Sequence, residues 1–154
     1  MNYNPILVTL LVAMTPVGEL RAALPLALTH YKLSLPVAFS VSVVGNMIPV
    51  IVLVYLLDPL QRWLSDHSPL FRRLFEWLFA RTRRKHSRRF EALGSLALVT
   101  FVAIPLPMTG AWSGVLAAFV FGVRPRAAIP LIGAGVIAAG VIVSLATQGI
   151  IMLG

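Results

Sequence analysis

Cysteine is absent from all 154 residues, which excludes disulfide staples, thiolate metal centres and thiol nucleophiles, and leaves the redox compartment unmarked. Charge is scarce as well. Only 12% of the residues are charged, against about a quarter in an ordinary soluble domain. Acid is scarcer than base, with five Asp and Glu against thirteen Lys and Arg. Met1 to Thr15 holds neither a basic start nor a small-residue cleavage site, so it reads as mature structure rather than a secretory leader. His30, His67 and His86 lie far apart without metal-ligand spacing, nothing orders a Ser/His/Asp triad, and no phosphate-cradling glycine loop occurs. No metal, cofactor or enzymatic activity is therefore expected. No readable recognition module accompanies the net charge of +8, so nucleic acid is not an expected partner.

What is present is apolar surface. Hydrophobic residues make up 58% of the chain and the mean hydropathy is +0.89, more than a soluble domain of this size can hide. The expectation is one integral membrane domain of all-α class, 1–154. Leu35 to Leu57 carries no charge over 23 residues, where about 20 suffice to cross a bilayer core. Gly45, Asn46 and Pro49 predict a local kink in it, with Asn46 facing protein rather than lipid. Ala127 to Leu153 is a second span, whose Gly133, Gly135 and Gly140 allow close helix packing.

Between the spans, the segment 58–91 carries most of the base: Arg62, Arg72, Arg73, Arg81, Arg83, Arg84, Lys85, Arg88 and Arg89. The positive-inside rule makes this linker cytoplasmic. Ser68 and Pro69 read as N-cap and first residue of a helix in which Leu70, Phe71, Leu74, Phe75, Leu78 and Phe79 recur at helical spacing. Two readings stand for that amphipathic helix: one lying on the membrane interface against anionic headgroups, or one packed on its own protein.

The remaining apolar stretches are too broken to span. Ile6 to Met14 ends at Thr15-Pro16-Val17-Gly18-Glu19-Leu20-Arg21 and resumes as Ala22 to Thr29. Leu93 to Ile104 breaks at Pro105-Leu106-Pro107-Met108-Thr109-Gly110 and resumes as Ala111 to Gly122. Two half-length helices around a Pro/Gly break describe a re-entrant hairpin. Each hairpin is followed by a basic residue, a proline and a full span: Lys32 and Pro36 in the first half (1–57), Arg124, Arg126 and Pro130 in the second (92–154). The expected architecture is an inverted repeat of hairpin plus transmembrane helix, joined by the basic linker, as in many secondary transporters. Arg124 and Arg126 then join the linker inside, Lys32 lies outside, and both termini are outside.

Glu19 and Arg21 are the residues that demand compensation, because a charge at the membrane centre costs at least ~2.5 kcal/mol. Their i, i+2 spacing puts them on different faces of a regular helix, so a direct pair needs broken backbone. In a functional reading Glu19 exchanges protons and Arg21 holds an anionic headgroup; in a structural one both belong to a fixed network locking the tip. The second tip offers the Thr109 and Ser113 hydroxyls. A half-helix starting near Thr109 or Gly110 would also present free N–H groups to a phosphate or carboxylate. Trp112 is a cavity wall, an interfacial anchor or a plain packing residue.

Pro16-Val17-Gly18-Glu19-Leu20-Arg21-Ala22-Ala23-Leu24-Pro25, together with Pro105-Leu106-Pro107-Met108-Thr109-Gly110-Ala111-Trp112-Ser113-Gly114, resembles the small multidrug export family of prokaryotic membrane proteins. That family is more distantly similar to DedA-type membrane proteins, whose paired re-entrant hairpins are associated with lipid flipping, including recycling of polyprenyl phosphate carriers. Glu19 and Arg21 match acidic and basic tip residues there in type, whereas Thr109 and Ser113 stand where that pattern has an arginine. The resemblance implies a multi-pass protein of the prokaryotic inner membrane. The expected substrate site comprises Glu19, Arg21, Pro25, Pro105, Pro107, Thr109, Gly110, Trp112 and Ser113. An anionic lipid phosphate or similar amphiphile suits Arg21 and a helix N-terminus, a cationic drug suits Glu19, and a non-transporting scaffold is the competing class. Four short helical pieces are few to enclose a pathway, so a homodimer is expected.

Overall fold

The computed structural model describes residues 4–82, 88–104 and 109–153. These are all-helical, with no strand among the described residues.

Helix α1 (Pro5–Met14) starts where Asn4 Oδ1 accepts the Ile6 N–H at 3.0 Å ahead of Pro5. It stops at Thr15, held extended by the proline that follows. After the turn, α2 runs Glu19–Thr29. Helix α3 (Leu35–His67) is longer than the charge-free span. Asp58 to His67, expected to open the linker, continues the helix instead. Pro49 and Pro59 each withhold one backbone N–H, yet the 33-residue helix runs through both positions. It ends at Ser68, again the extended residue before a proline, and α4 (Pro69–Thr82) follows at once. The second half repeats the order with α5 (Arg88–Ala103), α6 (Ala111–Val120) and α7 (Pro125–Leu153).

Helices α1 and α2 pack on each other and both on α3; α5 and α6 pack on each other and both on α7. The halves join where α3 meets α7, α2 leans on α7 and α6 leans on α3. Helices α3 and α7 are antiparallel: Gly140 faces the Phe39 ring while Gly133 faces Met47. Leu20, Leu24, Val50, Val102, Val115, Ile132 and Val136 are fully buried at these crossings.

Setting Leu35 on Pro125 makes the burial of α3 and α7 agree almost residue by residue: Ala38 with Ala128, Ser42 with Ile132, Gly45 with Gly135, Asn46 with Val136. Setting Glu19 on Gly110 does the same for α2 and α6. Two glycines serve the same purpose in the two halves. A Cβ on Gly45 would lie 2.7 Å from Leu10 O and 2.8 Å from Ala13 Cβ, and one on Gly135 would lie 2.6 Å from Val102 Cβ and 2.9 Å from Val99 O. Each lets the first helix of its half cross the long helix at backbone distance. The turns into α3 and α7 match too, with Lys32 (φ 52°) and Gly122 (φ 69°) both left-handed.

The outer surface is apolar as well. Ile51, Val52, Tyr55, Leu145, Ile150 and Met152 are exposed, and α3 and α7 are both long and apolar enough to cross a membrane. Helix α4 packs on α3 and on α6, where the Phe75 ring meets Phe119 edge-on at 6.3 Å. Its Leu70, Leu74 and Trp77 remain exposed.

Candidate functional site

The two helix breaks face each other. At the first, the Thr15 hydroxyl donates to Val12 O (2.8 Å) and accepts from the Gly18 N–H (3.0 Å). This tight turn leaves Gly18 no room for a side chain, since a Cβ would sit 2.7 Å from Thr15 Oγ1. Glu19 follows at φ 47°, a left-handed conformation that costs a residue with a Cβ roughly 1–2 kcal/mol. At the second break, the Thr109 hydroxyl donates to Ile104 O (2.8 Å). Gly110 precedes α6 at φ 154°, ψ −164°, and the Ser113 hydroxyl donates back to Gly110 O (3.2 Å).

Glu19 and Arg21 leave α2 toward opposite ends of the second break. Glu19, only 7% exposed, accepts the Trp112 backbone N–H on Oε1 at 3.3 Å, with the Ala111 amide beside it. The carboxylate thus sits at the N-terminus of α6, where free N–H groups and the helix dipole favour negative charge. Arg21 Nη2 donates to Ile104 O at 2.9 Å, Val102 O at 3.3 Å and Thr109 Oγ1 at 3.2 Å. The guanidinium thereby meets carbonyls at the C-terminal end of α5, where positive charge is favoured. One interruption in the second half supplies both complementary helix ends to the acid and the base of the first.

Gly110 makes this possible. A Cβ there would run into the Glu19 carboxylate. Around the carboxylate lies a crevice lined by Glu19, Leu20, Arg21, Asn46, Val102, Gly110, Ala111, Val136 and Ala139, too narrow for a water molecule. Among the described residues, Asn46 Oδ1, Ser42 Oγ and Trp112 Nε1 are buried without a hydrogen-bond partner. A larger cavity, about 160 Å³, opens between α3, α6 and the start of α7. Its walls include Val54, Leu57, Val115, Ala118 and Val123, and Asp58 and Arg124 also line it.

Of the residues singled out from the sequence, Glu19, Arg21, Thr109, Gly110 and Trp112 come together in this way, and Ser113 stands one position along. Pro25 sits one turn into α2, where it has no N–H to give the Arg21 carbonyl. Pro105 and Pro107 lie outside the described residues. The anion-binding N-terminus expected near Thr109 or Gly110 begins at Ala111, and a carboxylate of the protein itself occupies it. Asn46 lines the same crevice and is absent from the expected site. Its signal was an amide inside a charge-free span, which marks a protein-facing position without saying what it faces.

Residues 19–142 match the family described as "Putative small multi-drug export protein", and the chain belongs to that family. No curated protein and no solved structure matches it. Family membership and the two long apolar helices together identify a membrane protein.

Proposed function

We propose that the protein is a small multi-pass transporter whose substrate meets Glu19, Arg21 and the Thr109 to Ser113 segment between two re-entrant helix pairs near the membrane midplane. The observation that carries this reading is the buried Glu19 carboxylate at the meeting point of two helix breaks. A buried acid that can exchange a proton provides coupling to a gradient, and intramembrane ionisable residues mark transport pathways.

The inverted repeat is supported by the matched burial of α3 and α7, the matched glycines and the antiparallel course of those two helices. Re-entrance is supported by length. The apolar helices Pro5–Met14 and Ala111–Val120 have ten residues each, reaching roughly 15 Å, half of a ~30 Å hydrocarbon core. The basic linker then lies on the cytoplasmic face of the inner membrane, with α4 on anionic headgroups through its exposed apolar face. No residue is assigned a catalytic step, and two copies complete the pathway; a dimer by native mass measurement is the expected state.

Two substrate classes fit. An anionic amphiphile such as a lipid-linked phosphate would compete with Glu19 for the α6 amides and Arg21. A lipophilic cation would pair with Glu19, and the family's description favours it. Its approach is eased because Arg21 is turned onto the α5 carbonyls. Reconstituted transport of a lipid phosphate and of a cationic dye under an imposed pH gradient tests both. Wild type is expected to move one class, and Glu19→Gln to lose it. Unchanged transport in Glu19→Gln and Arg21→Ala would remove the midplane site; transport of neither class would leave the scaffold reading.

A further inference from the structure

The two halves share a scaffold but differ in polarity around one place. Where the first half has Glu19, Arg21 and Asn46, the second has Gly110, Trp112 and Val136 at the equivalent positions. All but Trp112 line the single narrow crevice at the helix breaks. The polar side of that crevice therefore comes from the first half alone, and Asn46 is the member whose role the ionic contacts do not explain.

Asn46 is 3% exposed, and its Oδ1 has no hydrogen-bond partner among the described residues. A buried acceptor left unmade costs about 1–3 kcal/mol, and the crevice is too narrow for a water to relieve it. The other buried donors without a partner among the described residues, Ser42 Oγ and Trp112 Nε1, do not line this crevice, so a donor to Asn46 is missing from this state. The crevice-lining residues other than Glu19 and Arg21 have no titratable side chain, and Arg21 is directed to Val102 O, Ile104 O and Thr109. Glu19 becomes a donor only by taking up a proton, and in that form it loses the charge that holds it to the α6 amides.

We propose that Asn46 is the positioning residue for the proton on Glu19. A proton from water adds to the carboxylate, the carboxyl O–H donates to Asn46 Oδ1, and the tip of α2 shifts its hold from the first turn of α6 to α3. Release of the proton restores the Trp112 N–H contact. The two hydrogen-bonded states couple protonation to the contact between the halves. This rests on Glu19 exchanging protons, as proposed above, but needs no knowledge of the substrate.

Trp112 reports on the switch because its own N–H is the contact that is made and broken. In a Trp63→Phe, Trp77→Phe background it is the remaining tryptophan, and its emission is titrated in detergent micelles between about pH 4 and 9. One transition is expected, absent in Glu19→Gln. Asn46→Val, which copies Val136, is expected to move the midpoint about one unit toward lower pH, a roughly tenfold loss of proton affinity, since the protonated form loses its acceptor. Asn46→Thr has the shape of valine but keeps an acceptor and is expected to shift less. If Asn46→Val is not monodisperse, Asn46→Ala against Asn46→Ser makes the same comparison. No transition in the wild-type site, an unmoved midpoint, or equal shifts with and without an acceptor overturns the proposal. A titration that behaves as expected in a protein that transports neither substrate class would overturn the proposed function and leave this switch standing.

Discussion

Gly110 holds in the second half the position that Glu19 holds in the first, and the side chain it lacks is what admits the Glu19 carboxylate to the first turn of α6. The equivalent positions of the two halves are thus in contact, one filling the space the other leaves. Glycine is required twice over at 110, for space and for a φ of 154°.

Gly110→Ala is therefore expected to destabilise the protein by more than the backbone strain alone, because the carboxylate must leave its amides. Glu19→Ala combined with Gly110→Ala is expected to recover part of the loss, since the clash is gone and only the strain remains. Thermal melting of the detergent-solubilised single and double variants measures the coupling; strictly additive losses would contradict it.

Arg21→Met keeps the length of the side chain and removes its donors. Hydrogen bonds from a charged group are worth about 1.5–3 kcal/mol, so a fall in melting temperature is expected, with Arg21→Lys losing less because one ammonium still reaches a carbonyl. A stable Arg21→Met protein would show that the α5 carbonyls do not depend on the guanidinium.

Gly45→Ala and Gly135→Ala test whether the halves are equivalent in packing. Each inserts a methyl between crossing backbones, at an expected cost of roughly 1–3 kcal/mol. Losses of similar size are expected from the two. A large loss from one and none from the other would break the equivalence.

The absence of cysteine makes accessibility direct to measure. His30→Cys lies in the turn before α3, and Phe121→Cys in the turn before α7, which meets the far part of α3 at Asp58. An impermeant thiol reagent is expected to reach them from opposite sides of sealed vesicles. Val17 is 96% exposed at the first break, whereas a side chain at neighbouring Gly18 would collide with Thr15. Val17→Cys is expected to react with a membrane-soluble maleimide and with the impermeant reagent from neither side; ready labelling from one side would place the break at a surface.

Much of this protein was legible in its sequence because the membrane imposes a short grammar: spans need length without charge, and breaks need proline or glycine. Leu35 to Leu57, the turn at Thr15 to Gly18 and the exceptional charges Glu19 and Arg21 follow from composition and spacing. The extension of α3 to His67 did not. Proline and charge argue locally for a helix end, and whether a helix ignores them depends on what its flanking turns pack against.

Composition and spacing alone mark a membrane-class, all-helical chain with two long helices and a pair of charges near residue 20 that need partners. How those charges are met depends on packing between the halves. The partners of Arg21 are 81 to 88 residues away along the chain and the Trp112 amide that meets Glu19 is 93 residues away, and all of these but the Thr109 hydroxyl are backbone groups, which carry no residue signature. Their i, i+2 spacing says only that a direct pair needs broken backbone; the fold gives each its own end of an interrupted helix. Backbone dipoles can answer buried charge wherever two breaks are brought face to face, and that juxtaposition is a property of packing between the halves.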